Sequence, residues 1–144
     1  MKITIIGYKN HALRLKSILN KLEYDNVVNY NYHTDTLEDS DVYFISSPNE
    51  THVEWIDKLK EQDKHIFCEK PPATNLEDIG RLEVLLNKKL YFNFNYRCST
   101  LVDTAKHYIE TKELGKLLYI DCISTHGLAF KESFQDNWRF KSDN

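Results

Sequence analysis

The sequence predicts an α/β fold built on a doubly wound parallel sheet, and three observations carry that reading. Short apolar, β-branched runs alternate with longer stretches whose apolar residues recur at helical spacing. The runs close on Gly7, Pro48 and Glu69-Lys70-Pro71, and an open parallel sheet presents its ligand crevice outside the carboxyl ends of its strands. The composition is globular: 144 residues, 41% hydrophobic and 28% charged, with four glycines and three prolines.

Lys2 to Ile6 reads as a buried strand, ended by Gly7. Leu15, Ile18, Leu19 and Leu22, at offsets 0, 3, 4 and 7, mark the helix that follows. Val27 to Tyr32 and Asp41 to Ile45 are the next strands, the latter closed by Ser46-Ser47-Pro48-Asn49. A helix with His52, Trp55, Ile56 and Leu59 on one face leads to a strand over 65–68. Asn75, followed by Leu76-Glu77-Asp78, starts a helix to about Leu86, since its side chain can cap the first amides and acids favour the positive helix end. Leu90 to Phe94 is a further strand. Ser99 can cap a helix whose buried face would hold Leu101, Ala105, Tyr108 and Ile109. After Gly115 the pattern changes to a long strand from Lys116 to Ser124 and an aromatic tail through Phe134 and Trp138-Arg139-Phe140. The expected division is 1–95 as one domain and 96–144 as the start of a second, too small to build a core alone.

A net charge of −3 and a pI near 6.1 give no general attraction to a polyanion, so no nucleic-acid partner is expected. The apolar run at the N-terminus is far too short for a signal peptide or a membrane span. Cys68, Cys98 and Cys122 are odd in number and widely spaced, and no Cys/His cluster has metal-site spacing. Reduced thiols in a cytoplasmic protein are the expectation. No serine sits in a glycine-flanked elbow, and the six histidines are scattered, as capping or surface residues are.

The chemistry-bearing stretches lie at the strand ends. Lys70 is a candidate proton carrier, because a partly buried amine beside a substrate can exchange protons near neutral pH. The bland alternative is a solvated Glu-Lys pair ahead of a helix. Gly7-Tyr8-Lys9-Asn10-His11-Ala12 stands where a GxGxxG/A phosphate turn would stand, with its first glycine and an accepted third small residue. Lys9 replaces the second glycine, so its side chain intrudes where pyrophosphate approaches, or partners a phosphate from the side. Near the end of the second strand, Asn31, Tyr32 and His33, with Asp35 slightly late, occupy the place of the acid that grips the ribose of NAD. No arginine stands there for the 2′-phosphate of NADP.

In order and spacing these residues resemble the glucose–fructose oxidoreductase/inositol dehydrogenase (Gfo/Idh/MocA) family. The matching segments are the Gly7–Ala12 loop, Ser47-Pro48-Asn49-Glu50-Thr51-His52, Glu69-Lys70-Pro71, Asn95-Tyr96-Arg97, Glu113 to Leu117 and Trp138-Arg139. The resemblance implies a Rossmann-like domain followed by an α/β open-sheet domain, with NAD or NADP as cofactor and oxidation or reduction at a carbon of a sugar, cyclitol or nucleotide sugar. It implies Lys70 as the catalytic lysine and Glu69 against the nicotinamide-side ribose. It further implies Gly7, Tyr8, Lys9, Asn10, His11, Ser47, Pro48, Asn49 and His52 around the cofactor, and Arg97 near the substrate.

Two departures temper the expectation. Thr34 to Ser40 is too short for the helix and strand that the family carries there, and the chain stops before the family's "DxGxH" helix, whose Asp and His complete the acid/base set. Without that helix Lys70 has no evident partner for proton transfer, and Lys9 in the phosphate turn together with the missing ribose acid predicts cofactor binding that is weak or lost. A catalytically inactive nucleotide-binding or assembly module is the alternative to an oxidoreductase or its N-terminal piece. An unfinished second sheet predicts self-association into a homo-oligomer.

Overall fold

A computed structural model describes residues 1–86 and 89–123. Two compact units emerge, Met1–Ser99 and Thr100–Asn144. In the first, five parallel strands stand in the order β2-β1-β3-β4-β5. They are β1 (Ile3–Ile6), β2 (Val27–Tyr30), β3 (Val42–Ile45), β4 (His65–Cys68) and β5 (Leu90–Phe92). The helices are α1 (Asn10–Lys21), α2 (His52–Leu59) and α3 (Leu76–Leu85). The doubly wound sheet expected from the alternating pattern is the one observed.

Two cores lie on opposite faces of the sheet, as the period-2 pleat of β3 dictates. Tyr43 and Ile45 join Ile6, Ile66 and Cys68 under Val53, Ile56 and Leu59 of α2 and Leu82 and Leu85 of α3. Val42 and Phe44 point to the other face, where Ile3, Ile5 and Val27 meet Ala12, Leu15 and Leu19 of α1. α3 starts where Asn75 predicts, its side chain accepting from the Asp78 amide at 2.8 Å.

β2 ends at Tyr30, two residues before the expected end, because the next residues bond to themselves. The Asp35 carboxylate accepts from the Asn31 amide at 2.9 Å, and Asn31 Oδ1 accepts from the His33 amide at 3.1 Å. The chain then passes directly to β3, with no helix or strand between Tyr30 and Val42. β1 lies between β2 and β3, so the direction of winding reverses at the β1/β3 boundary. Ligands of open α/β sheets bind at such a reversal.

The second unit begins with α4 (Thr100–Thr111). Leu101, Ala105, Tyr108 and Ile109, expected on a buried face, are exposed. The strand expected over 116–124 is absent from residues 116–123, which carry no regular secondary structure. A strand exists through a hydrogen-bonded neighbour, and none of the described residues pairs with this segment. Ser124 and the tail through Trp138-Arg139-Phe140 lie outside the described residues.

Candidate functional site

Gly7 sets the geometry of the sheet end. It leaves β1 at φ +148°, and a Cβ there would stand 2.7 Å from the Ser46 carbonyl oxygen and 3.2 Å from Ala12 Cβ. Only glycine lets α1 begin this close to the end of β3. The strand ends are tied in series: the Gly7 amide donates to Tyr30 O, Ser46 to Ile6 O, Glu69 to Ile45 O and Asn93 to Cys68 O, at 2.9–3.0 Å. Gly7, Ser46, Glu69 and Asn93 therefore share one edge of the sheet, the edge the strand ends predict.

Glu69 is the hub of that edge. Its Oε1 lies 2.8 Å from His11 Nε2 on α1 and accepts from Asn93 Nδ2, just past β5, at 2.7 Å. The Glu69 side chain is 14% exposed and that of His11 51%. Burial is the largest influence on the Glu69 carboxyl and pushes it up. The His11 and Asn93 hydrogen bonds, the charge on His11 and the Lys70 amide outweigh it and hold the carboxyl below the usual range. Beside it, burial and then the Glu69 charge push the Cys68 thiol up to about 12.

His52 opens α2, as expected, but its ring is fully buried, so it supports the edge and does not line it. Nδ1 lies 2.8 Å from the Pro71 carbonyl and Nε2 3.1 Å from the Ser47 carbonyl. Carbonyls only accept, so a neutral ring donates to one of them and an imidazolium to both. The ring ties the turn after β3 to the turn after β4. Thr51 Oγ1 reinforces the first of these, 2.7 Å from Ser47 Oγ and 2.8 Å from Pro48 O.

The remaining site residues divide by location. Tyr8 packs edge-on against Tyr32 and His33, with ring centroids 5.6 and 6.0 Å apart, in the place of a ribose-gripping acid. Asp35 does not fill that role, since Asn31 and Thr34 hold its carboxylate. Lys9 Nζ lies 5.8 Å from the Tyr8 ring centroid. Asn10 and Asn49 begin helical turns on either side of the β1/β3 reversal. Lys70 follows Glu69 directly, but its ammonium is exposed, where partial burial was expected, and takes no hydrogen bond or ion pair among the described residues. Arg97 sits exposed in the turn Asn95–Cys98, and no described contact brings its side chain to the Glu69 edge. Asn93 was missed by the sequence reasoning. The expected strand over Leu90 to Phe94 ran through it, whereas β5 ends at Phe92 and leaves Asn93 directly after the strand, the place Gly7 and Glu69 hold on theirs.

These residues fit a nucleotide in several respects. No side chain caps the first turn of α1 and no acid stands in it, which leaves its amides and the positive helix end for an anion. Asn29 Oδ1 is buried without a partner among the described residues, while its Nδ2 donates to Gly7 O at 3.1 Å. A parallel sheet with a glycine turn into a helix at its point of reversal defines a nucleotide-binding α/β domain.

Residues 3–91 match the model of GFO_IDH_MocA, described as an oxidoreductase family with an NAD-binding Rossmann fold, and the chain belongs to that family. It is 31% identical over 110 residues to levoglucosan dehydrogenase of Pseudarthrobacter phenanthrenivorans, covering 73% of this chain and 28% of the relative. It is 32% identical over 79 residues to myo-inositol 2-dehydrogenase of Thermotoga maritima, covering 53% of this chain and 24% of the relative. The chain thus spans about a quarter of the length of these curated relatives. Its fold resembles scyllo-inositol dehydrogenase from Lactobacillus casei, solved with bound NAD(H) and scyllo-inositol. That likeness has a TM-score of 0.58 at 20% identity and covers 80% of this chain and 42% of that one. Among the described residues no helix is long and apolar enough to cross a membrane.

Proposed function

We propose that this chain is the cofactor-holding part of an NAD(P)-dependent oxidoreductase acting at a carbon of a sugar, cyclitol or nucleotide sugar. The observation that carries the reading is the hydrogen bond joining His11, in the phosphate-turn helix, to Glu69 of the Glu-Lys-Pro turn. It brings the two family motifs to one edge of the sheet.

When bound, NAD(P)⁺ supplies the hydride acceptor. In this reading the first-turn amides of α1 and Lys9 hold phosphate. Glu69 accepts a ribose hydroxyl, and Pro48 and Asn49 border the cofactor. Lys70, exposed and unpaired among the described residues, orients the reacting oxygen and carries its proton. Arg97 is assigned to the substrate side. The free thiols Cys68, Cys98 and Cys122 support residence in the reducing cytoplasm. Exposed Leu117, Leu118, Tyr119 and Ile123 support a homo-oligomer, which light scattering tests.

A second reading, a nucleotide-binding module without turnover, is favoured by the Tyr8–Tyr32–His33 cluster in place of a ribose-gripping acid. The deciding experiment assays the natural full-length product with NAD⁺ or NADP⁺ and a panel of sugars, cyclitols and nucleotide sugars, beside Lys70→Ala. Turnover that Lys70→Ala abolishes supports the first reading. Cofactor binding without turnover on any of the panel supports the second.

A further inference from the structure

Glu69 is held from two sides by residues that belong to no motif of the Glu-Lys-Pro turn. His11 comes from the first turn of α1 and Asn93 from the first position after β5, and both meet the same oxygen, Oε1, at 2.8 and 2.7 Å. No described side chain donates to Oε2. The Asn93 backbone is itself fixed, its amide donating to Cys68 O at 2.9 Å. The carboxylate therefore spans three elements that are far apart in sequence and adjacent only at the sheet edge.

A carboxylate anchored at one oxygen has lost rotational freedom before any ligand arrives, and the other oxygen keeps its acceptor capacity. From this geometry we infer that His11 and Asn93 are positioning residues: they fix the Oε1 side of Glu69 and present Oε2 as the acceptor for a ligand hydroxyl. The inference rests on the dinucleotide reading for its ligand, a ribose hydroxyl on the nicotinamide half. It rests on the hydrogen-bond geometry alone for the positioning. The titratable groups around the carboxylate are His11 on α1, Cys68 at the end of β4 and Lys70 next in the chain.

The test uses the whole chain, wild type and the variants His11→Asn and Asn93→Ala, with folding checked by thermal melting. Carbon-detected NMR follows the Glu69 side-chain carboxyl as pH falls. Its midpoint rises toward the ordinary glutamate value in both variants if they hold the carboxylate, and stays put in both if they merely pack beside it. The second readout is calorimetric titration with NADH and, separately, AMP, which lacks the nicotinamide half. Each variant weakens NADH about tenfold, the effect of one lost bond to a charged acceptor, and Asn93→Ala, which lies outside the phosphate turn, leaves AMP unchanged. An unmoved midpoint, or equal weakening of NADH and AMP by Asn93→Ala, overturns the inference. If the wild type binds neither ligand, the dinucleotide reading fails and the NMR midpoint alone decides the positioning role.

Discussion

Replacing Gly7 with alanine tests the architecture of the sheet edge more sharply than any other single change. Two costs arise together. At φ +148° a residue with a Cβ sits in a region essentially reserved for glycine, which costs on the order of 1–3 kcal/mol. The new methyl would also stand 2.7 Å from Ser46 O and 3.1 Å from Ser46 C, backbone atoms pinned by the Ser46 amide bond to Ile6 O. Nothing there is the movable tip of a side chain, so β1 and β3 must part locally. Overpacking of that kind adds about 1–3 kcal/mol. The sum, about 2–6 kcal/mol, is a large share of the roughly 5–15 kcal/mol that stabilises an ordinary domain. Urea unfolding of wild type and Gly7→Ala, followed by far-UV circular dichroism, reads the loss directly. A thermal melt should fall by at least about 8 °C, at roughly 4–8 °C per kcal/mol for a unit of this size. A variant that melts with the wild type would refute the placement of Gly7 against Ser46 and the close start of α1 beside the end of β3.

Other outcomes follow from the same edge. His52→Ala removes the ring that ties the Ser47 and Pro71 turns and leaves a cavity, and should cost about 2–5 kcal/mol in urea unfolding, with His52→Gln recovering part of it. Cys68 is buried with its thiol pushed up to about 12, whereas Cys98 and Cys122 are exposed, so a thiol reagent at pH 8 should modify two cysteines in the native chain and the third only after unfolding. The Glu69 carboxyl lies below its usual range when folded, so the stability it contributes is complete above its unfolded value of about 4.3 and lost as pH falls through the folded value. His11→Asn should therefore flatten the acid side of the stability curve, and the gap from wild type should close once Glu69 is protonated in both. Lys9→Gly should tighten NAD(H) binding by calorimetry if the lysine obstructs pyrophosphate, and loosen it if its charge is the phosphate partner.

The central strands β1, β3 and β4 were legible as short, largely apolar runs with buried residues, and α3 because Asn75 and Asp78 make its cap from residues three apart. Local chemistry of that kind can be read from the sequence. The two-residue overreach at the end of β2 came from counting Tyr32 as strand, when the Asn31–Asp35 turn competes for the same backbone. The Lys116–Ser124 segment has strand composition, but composition supplies no ladder partner, and residues 116–123 have none among the described residues. At the site, Gly7 and Glu69 were readable from their places after strands. The His11–Glu69–Asn93 junction was not, because it depends on the register that sets three strand ends side by side. His52 illustrates the same limit: its position predicts a helix start, and only the packing of α2 on the sheet makes it a buried tie between two turns.

The central claim is that the carboxyl edge of this sheet holds a nicotinamide dinucleotide, and calorimetric titration of the folded chain with NAD⁺, NADP⁺ and their reduced forms tests it most directly. Saturable but weak binding is expected, because the absent ribose carboxylate removes a charge-assisted hydrogen bond of about 1.5–3 kcal/mol, roughly ten- to a hundredfold in affinity. Placing the acid back, as Asn31→Asp or Tyr32→Asp, should recover part of that loss. Heats indistinguishable from dilution for all four dinucleotides, up to millimolar concentration, would contradict it.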